Sequence, residues 1–195
     1  MKYFVATVLS FFIVLGAIRS FHIYQISAPT PNQAVSKYWT RITKDSPRKM
    51  ETITIVSTKL TSESENTLTV LFRATEQDPY MYIVGYAVTQ KTIFGWFVES
   101  SQTSGRSPRP EDVLVILDWF AEKPVIYGQV FLANAARVEA LFSDLGNGPT
   151  TVASEIPSGN FVLFGAQNQE LLDFKILDAK GHVLKQFTKD ELQSQ

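Results

Sequence analysis

The chain has 195 residues, of which 45% are hydrophobic and 19% charged, a composition that fits one globular domain or two small ones and excludes a disordered or fibrous protein. With 18 Lys and Arg against 19 Asp and Glu, the formal charge is -1 and provides no field that would attract nucleic acid, so no nucleic-acid partner is expected. The sequence contains no cysteine, which excludes disulfides, thiolate metal sites and a cysteine nucleophile.

An uncharged, mostly apolar run extends from Tyr3 to Ile18. As a helix it would measure about 24 Å, less than the roughly 30 Å of a bilayer's hydrocarbon core. Apolar residues resume after Arg19, and a helix over 3–26 would reach about 36 Å, with Arg19 and His22 extending to the membrane interface. The sequence therefore predicts a transmembrane helix at the start of the chain.

This helix is expected to remain part of the mature protein. Leu15 stands two positions before Ala17, where a signal-peptide cleavage site would have a small residue, so residues 1–28 are predicted to be a membrane anchor. Lys2 and the terminal amine favour an N-terminus on the cytoplasmic side. The predicted location is the cell membrane, single-pass, with the C-terminal part outside the cytoplasm; secretion after cleavage is the alternative.

Residues 29–101 have the pattern of one helix followed by strands. Thr30, Pro31 and Gln33 are typical of a helix start with a capping box. Five apolar residues follow at helical spacing on one face, namely Ala34, Val35, Tyr38, Trp39 and Ile42. Four stretches rich in β-branched and aromatic residues come next, at 52–59, 68–74, 80–90 and 93–101, and the third is apolar at both odd and even positions, which indicates cover on two faces. An amphipathic helix on a curled antiparallel sheet is the predicted arrangement.

A change of composition and charge marks the second part of the chain. Residues 102–112 are rich in Ser, Gly and Pro and are predicted to be a linker. Residues 29–107 contain nine basic and seven acidic side chains, whereas 108–195 contain seven and twelve. Six short apolar or alternating segments separated by turn residues predict a small antiparallel β-sandwich over 113–195. The predicted fold class is α+β, mostly β, in two modules behind an anchor.

Two passages, taken in order, carry a family resemblance. They are KTIFGWFVES at 91–100, and ILDWFAEKPVIYGQVFLANAARVEALF at 116–142 with a closing ILDAKGHVLKQF at 176–187. Behind an N-terminal anchor, this pattern resembles a family of small, uncharacterised, membrane-anchored extracytoplasmic proteins of Bacillus-like Gram-positive bacteria. Its most specific points are Gly95-Trp96, Tyr127-Gly128 and the turn at 178–181. The resemblance implies an anchored extracytoplasmic protein and carries no catalytic residue.

Aromatic and acidic side chains are the candidates for a site. Trp39, Trp96 and Trp119 could line a ligand groove, although aromatic residues in half-buried strands are more often core. Asp118 and Glu122 flank an aromatic pair and could act as acid and base in a glycosidase, but turn charges are the commoner interpretation of such a pair.

Loop residues give weaker signals still. Asp144, Asn147 and Asp178 offer oxygen ligands but do not fit a calcium loop, and turn formation explains them better. His182 is expected at a hairpin tip. No catalytic residue, metal site or cofactor is predicted.

These observations favour a membrane-anchored extracytoplasmic binding or accessory protein without catalytic activity. The membrane, through the N-terminal helix, and another extracytoplasmic protein are the expected partners. An extracytoplasmic hydrolase that uses acidic residues is one alternative. A second is an apolar-ligand binder with a cavity between the helix and the sheet, bordered by Trp39.

Overall fold

A computed structural model describes residues 2–44, 50–60, 66–76, 82–106, 112–146 and 148–193. Within these ranges the chain is mostly β-strand with a few helices. The helices are α1 (Lys2–Ile26), α2 (Pro31–Thr43) and α3 (Lys189–Gln193). The strands are β1 (Met50–Leu60), β2 (Thr67–Glu76), β3 (Tyr82–Thr92), β4 (Gly95–Arg106), β5 (Val113–Phe120), β6 (Lys123–Val130), β7 (Ala135–Phe142), β8 (Thr150–Glu155), β9 (Asn160–Phe164), β10 (Leu171–Asp178) and β11 (Val183–Thr188).

The start of α2 follows from its sequence. Thr30 has an extended backbone, and its hydroxyl oxygen accepts a hydrogen bond from the backbone N–H of Gln33 at 3.3 Å. Pro31 occupies the first helical position, where its missing N–H costs no hydrogen bond. The predicted helix and its cap are therefore present, and the helix buries Ala34, Val35 and Trp39.

The strands form three sheets. The first has the order β1-β2-β3-β4, in which each strand lies beside its neighbour in sequence. The second has the order β11-β10-β7-β8, and the third has the order β5-β6-β9. All pairings recorded for these last two sheets are antiparallel, which gives the sandwich-like arrangement expected for this part of the chain.

The chain divides into two compact units. The first comprises Met1–Lys49, Lys59–Val70 and Ala87–Ser101, and the second comprises Met50–Thr58, Leu71–Tyr86 and Gln102–Gln195. Each strand of the first sheet therefore contributes residues to both units. The segment 102–112, predicted as a linker, is strand as far as Arg106, and 107–111 lie outside the described residues.

In the first unit, a backbone bridge joins the end of α1 to β4. The amide of Ala28 donates to the carbonyl of Trp96, and the amide of Trp96 donates to the carbonyl of Ala28, each at 2.8 Å. Gly95 precedes this bridge with a φ of +110°, and a Cβ at this position would collide with the Ala28 carbonyl oxygen. The backbone therefore requires glycine at position 95, where the chain leaving α1 contacts the β3–β4 turn.

The second unit has buried residues on both faces of the β5-β6-β9 sheet. One face contributes Val115, Ile126 and Phe161 to a cluster that also contains Phe142 and Phe174 of the β11-β10-β7-β8 sheet. The opposite face includes Tyr127, whose ring makes an edge contact with the ring of Tyr86 at a centroid distance of 4.9 Å. Strand β6 is accordingly buried from Pro124 to Val130.

Several elements predicted from the sequence are present in the structure, and two elements of the structure were not predicted. The segment 113–120 is strand β5, as predicted, and β3 is buried at every position from Ile83 to Thr89. Strand β8 and helix α3 were not predicted; β8 is polar and largely exposed, so it carries no hydrophobic pattern.

A transmembrane helix over 3–26 was also part of the predicted fold. The segment is helical, as α1. Within the part of the chain that the structure describes, no helix combines the length and apolar character needed to span a membrane.

Candidate functional site

The first unit contains a cleft of about 200 Å³ beside the C-terminal end of α1. Helix α1 contributes one wall, helix α2 a second, and strand β4 the floor. The lining side chains are His22, Gln25, Ile26, Lys37, Tyr38, Arg41 and Val98.

Helical spacing explains why these side chains meet in one place. His22 and Ile26 are four residues apart on α1, and Lys37 and Arg41 are four residues apart on α2, so each pair shares one helix face. The short connection through Ser27 and the capped start of α2 bring the two faces together. Val98, which is buried, contributes an apolar surface.

Lys37 ties the two helices to each other. Its ammonium group donates a hydrogen bond to the backbone carbonyl of Ser27 at 2.9 Å, directly after the last residue of α1. A cation at this position is favoured by the partial negative charge of a helix C-terminus. An ammonium group has three donors, so Lys37 can hold α2 against α1 and still donate to a ligand.

The cleft is positively charged. The first 44 residues of the sequence contain five basic and no acidic side chains. In the part of the chain that the structure describes, neither His22 nor Arg41 has an ion-pair partner. Chemically, this arrangement suits an anion, because Arg41 offers a planar set of N–H donors.

Exposed apolar groups surround the same end of α1. Tyr24 is 62% exposed, and its ring makes an edge contact with the ring of Phe94 at a centroid distance of 5.9 Å. Ile93, at the tip of the β3–β4 turn, is 93% exposed. Such a collection of exposed apolar side chains is typical of an interaction surface.

The three tryptophans do not form one groove within either unit. Trp39 is buried, and its indole N–H donates to the hydroxyl of Ser101 at 3.2 Å. Trp96 lies in the same unit, where the ammonium group of Lys91 is 5.9 Å from its ring centroid. Trp119 belongs to the second unit and is 44% exposed. Trp119 lines a depression on the surface of that unit.

That depression has a volume of about 350 Å³ and lies where the β5–β6 turn meets the loop before β10. Its lining consists of Trp119, Glu122, Asn168, Gln169 and Glu170. The Glu122 carboxylate accepts a hydrogen bond from the side chain of Gln167 at 2.6 Å, and the Glu170 carboxylate pairs with Lys189 at 2.8 Å. The hydrogen bond from Lys189 lowers the pKa of Glu170. Both carboxylates are thus engaged in holding surface loops.

Asp118 is not among the side chains that line this depression. It occupies the opposite face of β5 from Trp119, because successive side chains of a strand alternate. Its charge acts on the two buried tyrosines: burial first, and then the Asp118 carboxylate, raise the pKa values of Tyr86 and Tyr127 above their ordinary value. The structure therefore does not bring Asp118 and Glu122 together as an acid and base pair.

The loop residues take part in turns. One carboxylate oxygen of Asp144 accepts hydrogen bonds from the amides of Gly146 and Gly148, both at 2.6 Å. Asp178 accepts from the amides of Lys180 and His182 at 2.8 and 2.9 Å, and its pKa is lowered, chiefly by the His182 amide. Asn147 lies outside the described residues.

Sequence reasoning missed the cleft. Lys37 and Arg41 are not among the candidate residues of the sequence, and His22 is predicted only to extend to the membrane interface. The available signal was the run of five basic side chains without an acid in the first 44 residues. These basic side chains form one cleft only because α2 folds back onto α1, and the sequence does not predict this contact.

No family model, curated protein or solved structure matches the chain. The resemblance to anchored extracytoplasmic proteins accordingly stays a prediction.

Proposed function

We propose that the protein is a membrane-attached binding or accessory protein whose β-rich part lies outside the cytoplasm. The observation that carries the proposal is the exposed apolar surface of α1. Ile13, Val14 and Ile18 are 64%, 55% and 61% exposed, and no charge occurs between Tyr3 and Ile18. Apolar helix side chains that protein does not cover are energetically favourable in lipid and unfavourable in water.

The surroundings of α1 support the same proposal. The exposed rings of Tyr24 and Phe94 lie at one end of the helix, where a membrane interface would favour aromatic side chains. Arg19 and His22 lie on the same stretch and can extend to the headgroups. The β-rich part supplies surface for a partner, and the carboxylates Glu122 and Glu170 serve loop structure.

A membrane fractionation experiment tests the attachment. We expect the full chain to sediment with membranes through salt and alkaline washes and to be released by detergent. The double variant Ile13→Asp, Val14→Asp should move to the supernatant, because each acidic group at the centre of an apolar helix costs about 3 kcal/mol in lipid.

The double variant Val183→Asp, Leu184→Asp is the matched control for this experiment. Val183 and Leu184 are 51% and 41% exposed on β11, far along the chain from α1, and the two substitutions add the same charge without changing the apolar helix. We expect this variant to sediment like the unmodified protein. Recovery of the unmodified chain in the supernatant without detergent would overturn the proposal.

A further inference from the structure

We propose that the cleft between α1 and α2 binds the phosphate group of an anionic membrane lipid. The inference deepens the proposed function and rests on it, because a lipid headgroup reaches the cleft only if α1 lies in a bilayer. Arg41, Lys37 and His22 supply positive or ionisable donors around one cleft of about 200 Å³. Phosphate oxygens are the acceptors that such a set of donors recognises.

In the part of the chain that the structure describes, the basic side chains of the cleft form no ion pair with a carboxylate. Among the residues described in the first unit, Glu99 is the single acidic residue. It is exposed and follows Val98 on β4, so its side chain points to the opposite face of the strand from the cleft. Of the carboxylates described in this unit, none therefore competes with an anion that enters the cleft.

The position of the cleft selects a lipid over a dissolved anion. His22, Gln25 and Ile26 belong to the last turns of α1, the helix whose apolar remainder is proposed to lie in lipid. The ring pair of Tyr24 and Phe94 and the exposed Ile93 are found near the same end of α1. Aromatic and basic side chains of this kind gather at headgroup depth, which places the cleft at the level of lipid phosphates.

The lining also fits the rest of a headgroup. Arg41 can donate two parallel hydrogen bonds to a phosphate, and Lys37 can add a third donor while its contact with the Ser27 carbonyl holds it in place. The amide of Gln25 and the hydroxyl of Tyr38 can bond to a polar headgroup. Ile26 and Val98 provide an apolar wall for the glycerol carbons.

Thermal unfolding of the full chain in neutral detergent micelles tests the inference. A ligand that binds the folded state raises the melting temperature. We expect added phosphatidylglycerol to raise the melting temperature, and phosphatidylcholine and soluble glycerol phosphate to leave it unchanged. Arg41→Gln should weaken the apparent affinity for phosphatidylglycerol about tenfold, because a charge-assisted pair of hydrogen bonds is lost.

Lys44→Gln is the matched control. Lys44 is exposed one residue beyond the end of α2 and does not line the cleft, so its substitution removes the same charge without removing a ligand. An equal loss in Lys44→Gln and Arg41→Gln would mean that net charge alone attracts the lipid and would overturn the proposal. An equal shift with glycerol phosphate, or no shift with phosphatidylglycerol, would also overturn it.

Failure of this test is distinguishable from failure of the proposed function. The fractionation experiment depends on the apolar surface of α1, and the thermal experiment depends on Arg41. A protein that sediments with membranes but shows no phosphatidylglycerol shift is attached without headgroup recognition. We expect Arg41→Gln to sediment with membranes as the unmodified chain does.

Discussion

Trp39 shows how one side chain links the helix to the sheet in the first unit. It is 8% exposed, its ring packs edge-on against Tyr38 at a centroid distance of 5.6 Å, and its N–H donates to Ser101 on β4. The indole thus combines a large apolar surface with a satisfied polar group, which is the usual condition for burying tryptophan. Its role is structural, although the sequence also allowed a place in a ligand groove.

Replacing Trp39 by alanine should lower the free energy of unfolding by about 3 to 5 kcal/mol, the usual loss for a large buried aromatic residue. The measurement is denaturant unfolding of the full chain in neutral detergent. Trp119→Ala is the control, because Trp119 is 44% exposed and its loss should change stability by about 0.5 kcal/mol or less. Equal effects of the two substitutions would contradict the structural role assigned to Trp39.

The sequence could identify aromatic residues as candidates but could not rank their burial. Trp39 and Trp119 both stand in apolar stretches, and only the packing of neighbouring elements makes one buried and the other exposed. The same limit applies to Asp118 and Glu122, which are four residues apart but separated by the tight β5–β6 turn. Ala121 and Glu122 both have positive φ in that turn, a conformation that no local pattern in the sequence announced.

Elements with strong patterns were predictable, and weakly patterned ones were not. The capping residues Thr30 and Pro31 fix the start of α2, and the continuous apolar run in β3 indicated burial on two faces, which the structure has. Strand β8 is recognisable only through its pairing with β7, for example Val138 opposite Ser154. The cleft depends on α2 folding back onto the end of α1, so its residues could not be grouped from sequence spacing.

The contact between β3 and β6 has a consequence at alkaline pH. Burial raises the pKa values of Tyr86 and Tyr127, and the Asp118 charge raises them further. In the unfolded chain the phenols ionise at about pH 10, whereas the folded chain keeps them neutral to higher pH. Stability from this contact is therefore fully present below about pH 10 and is lost as the pH rises toward the raised folded values.

Denaturant unfolding at a series of alkaline pH values, with phenolate absorbance recorded in parallel, measures this loss. Tyr127→Phe should reduce the slope of stability against pH above about pH 10, because one ionisable group is removed from the unfolded state. Tyr86→Phe should reduce the slope in the same way, since burial raises the pKa of Tyr86 as well. Identical slopes in all three proteins would show that the buried phenols do not control alkaline stability.

The organisation of the whole chain depends on how the long strands of the first sheet are shared. One unit consists of residues 50–58, 71–86 and 102–195. The chain therefore passes between the two units several times, and no single position in the sequence divides them. The Ser, Gly and Pro content of 102–112 resembles a linker, but β4 continues through its first half. The composition of this segment predicts a linker because the last part of β4 is polar. A polar composition does not distinguish an exposed strand from a loop.

Expression of residues 113–195 alone tests whether this part has a self-sufficient core. In the full chain the rings of Tyr127 and Phe164 contact Tyr86, at centroid distances of 4.9 and 6.2 Å, and Tyr127 is 1% exposed. Removing Tyr86 and its neighbours would expose this face of the β5-β6-β9 sheet. We therefore expect the fragment to give a poorly dispersed NMR spectrum and residues 50–195 to give a dispersed one. Good dispersion in the shorter fragment would instead support the separate modules that the sequence predicts, and the contact with Tyr86 would then be dispensable for folding.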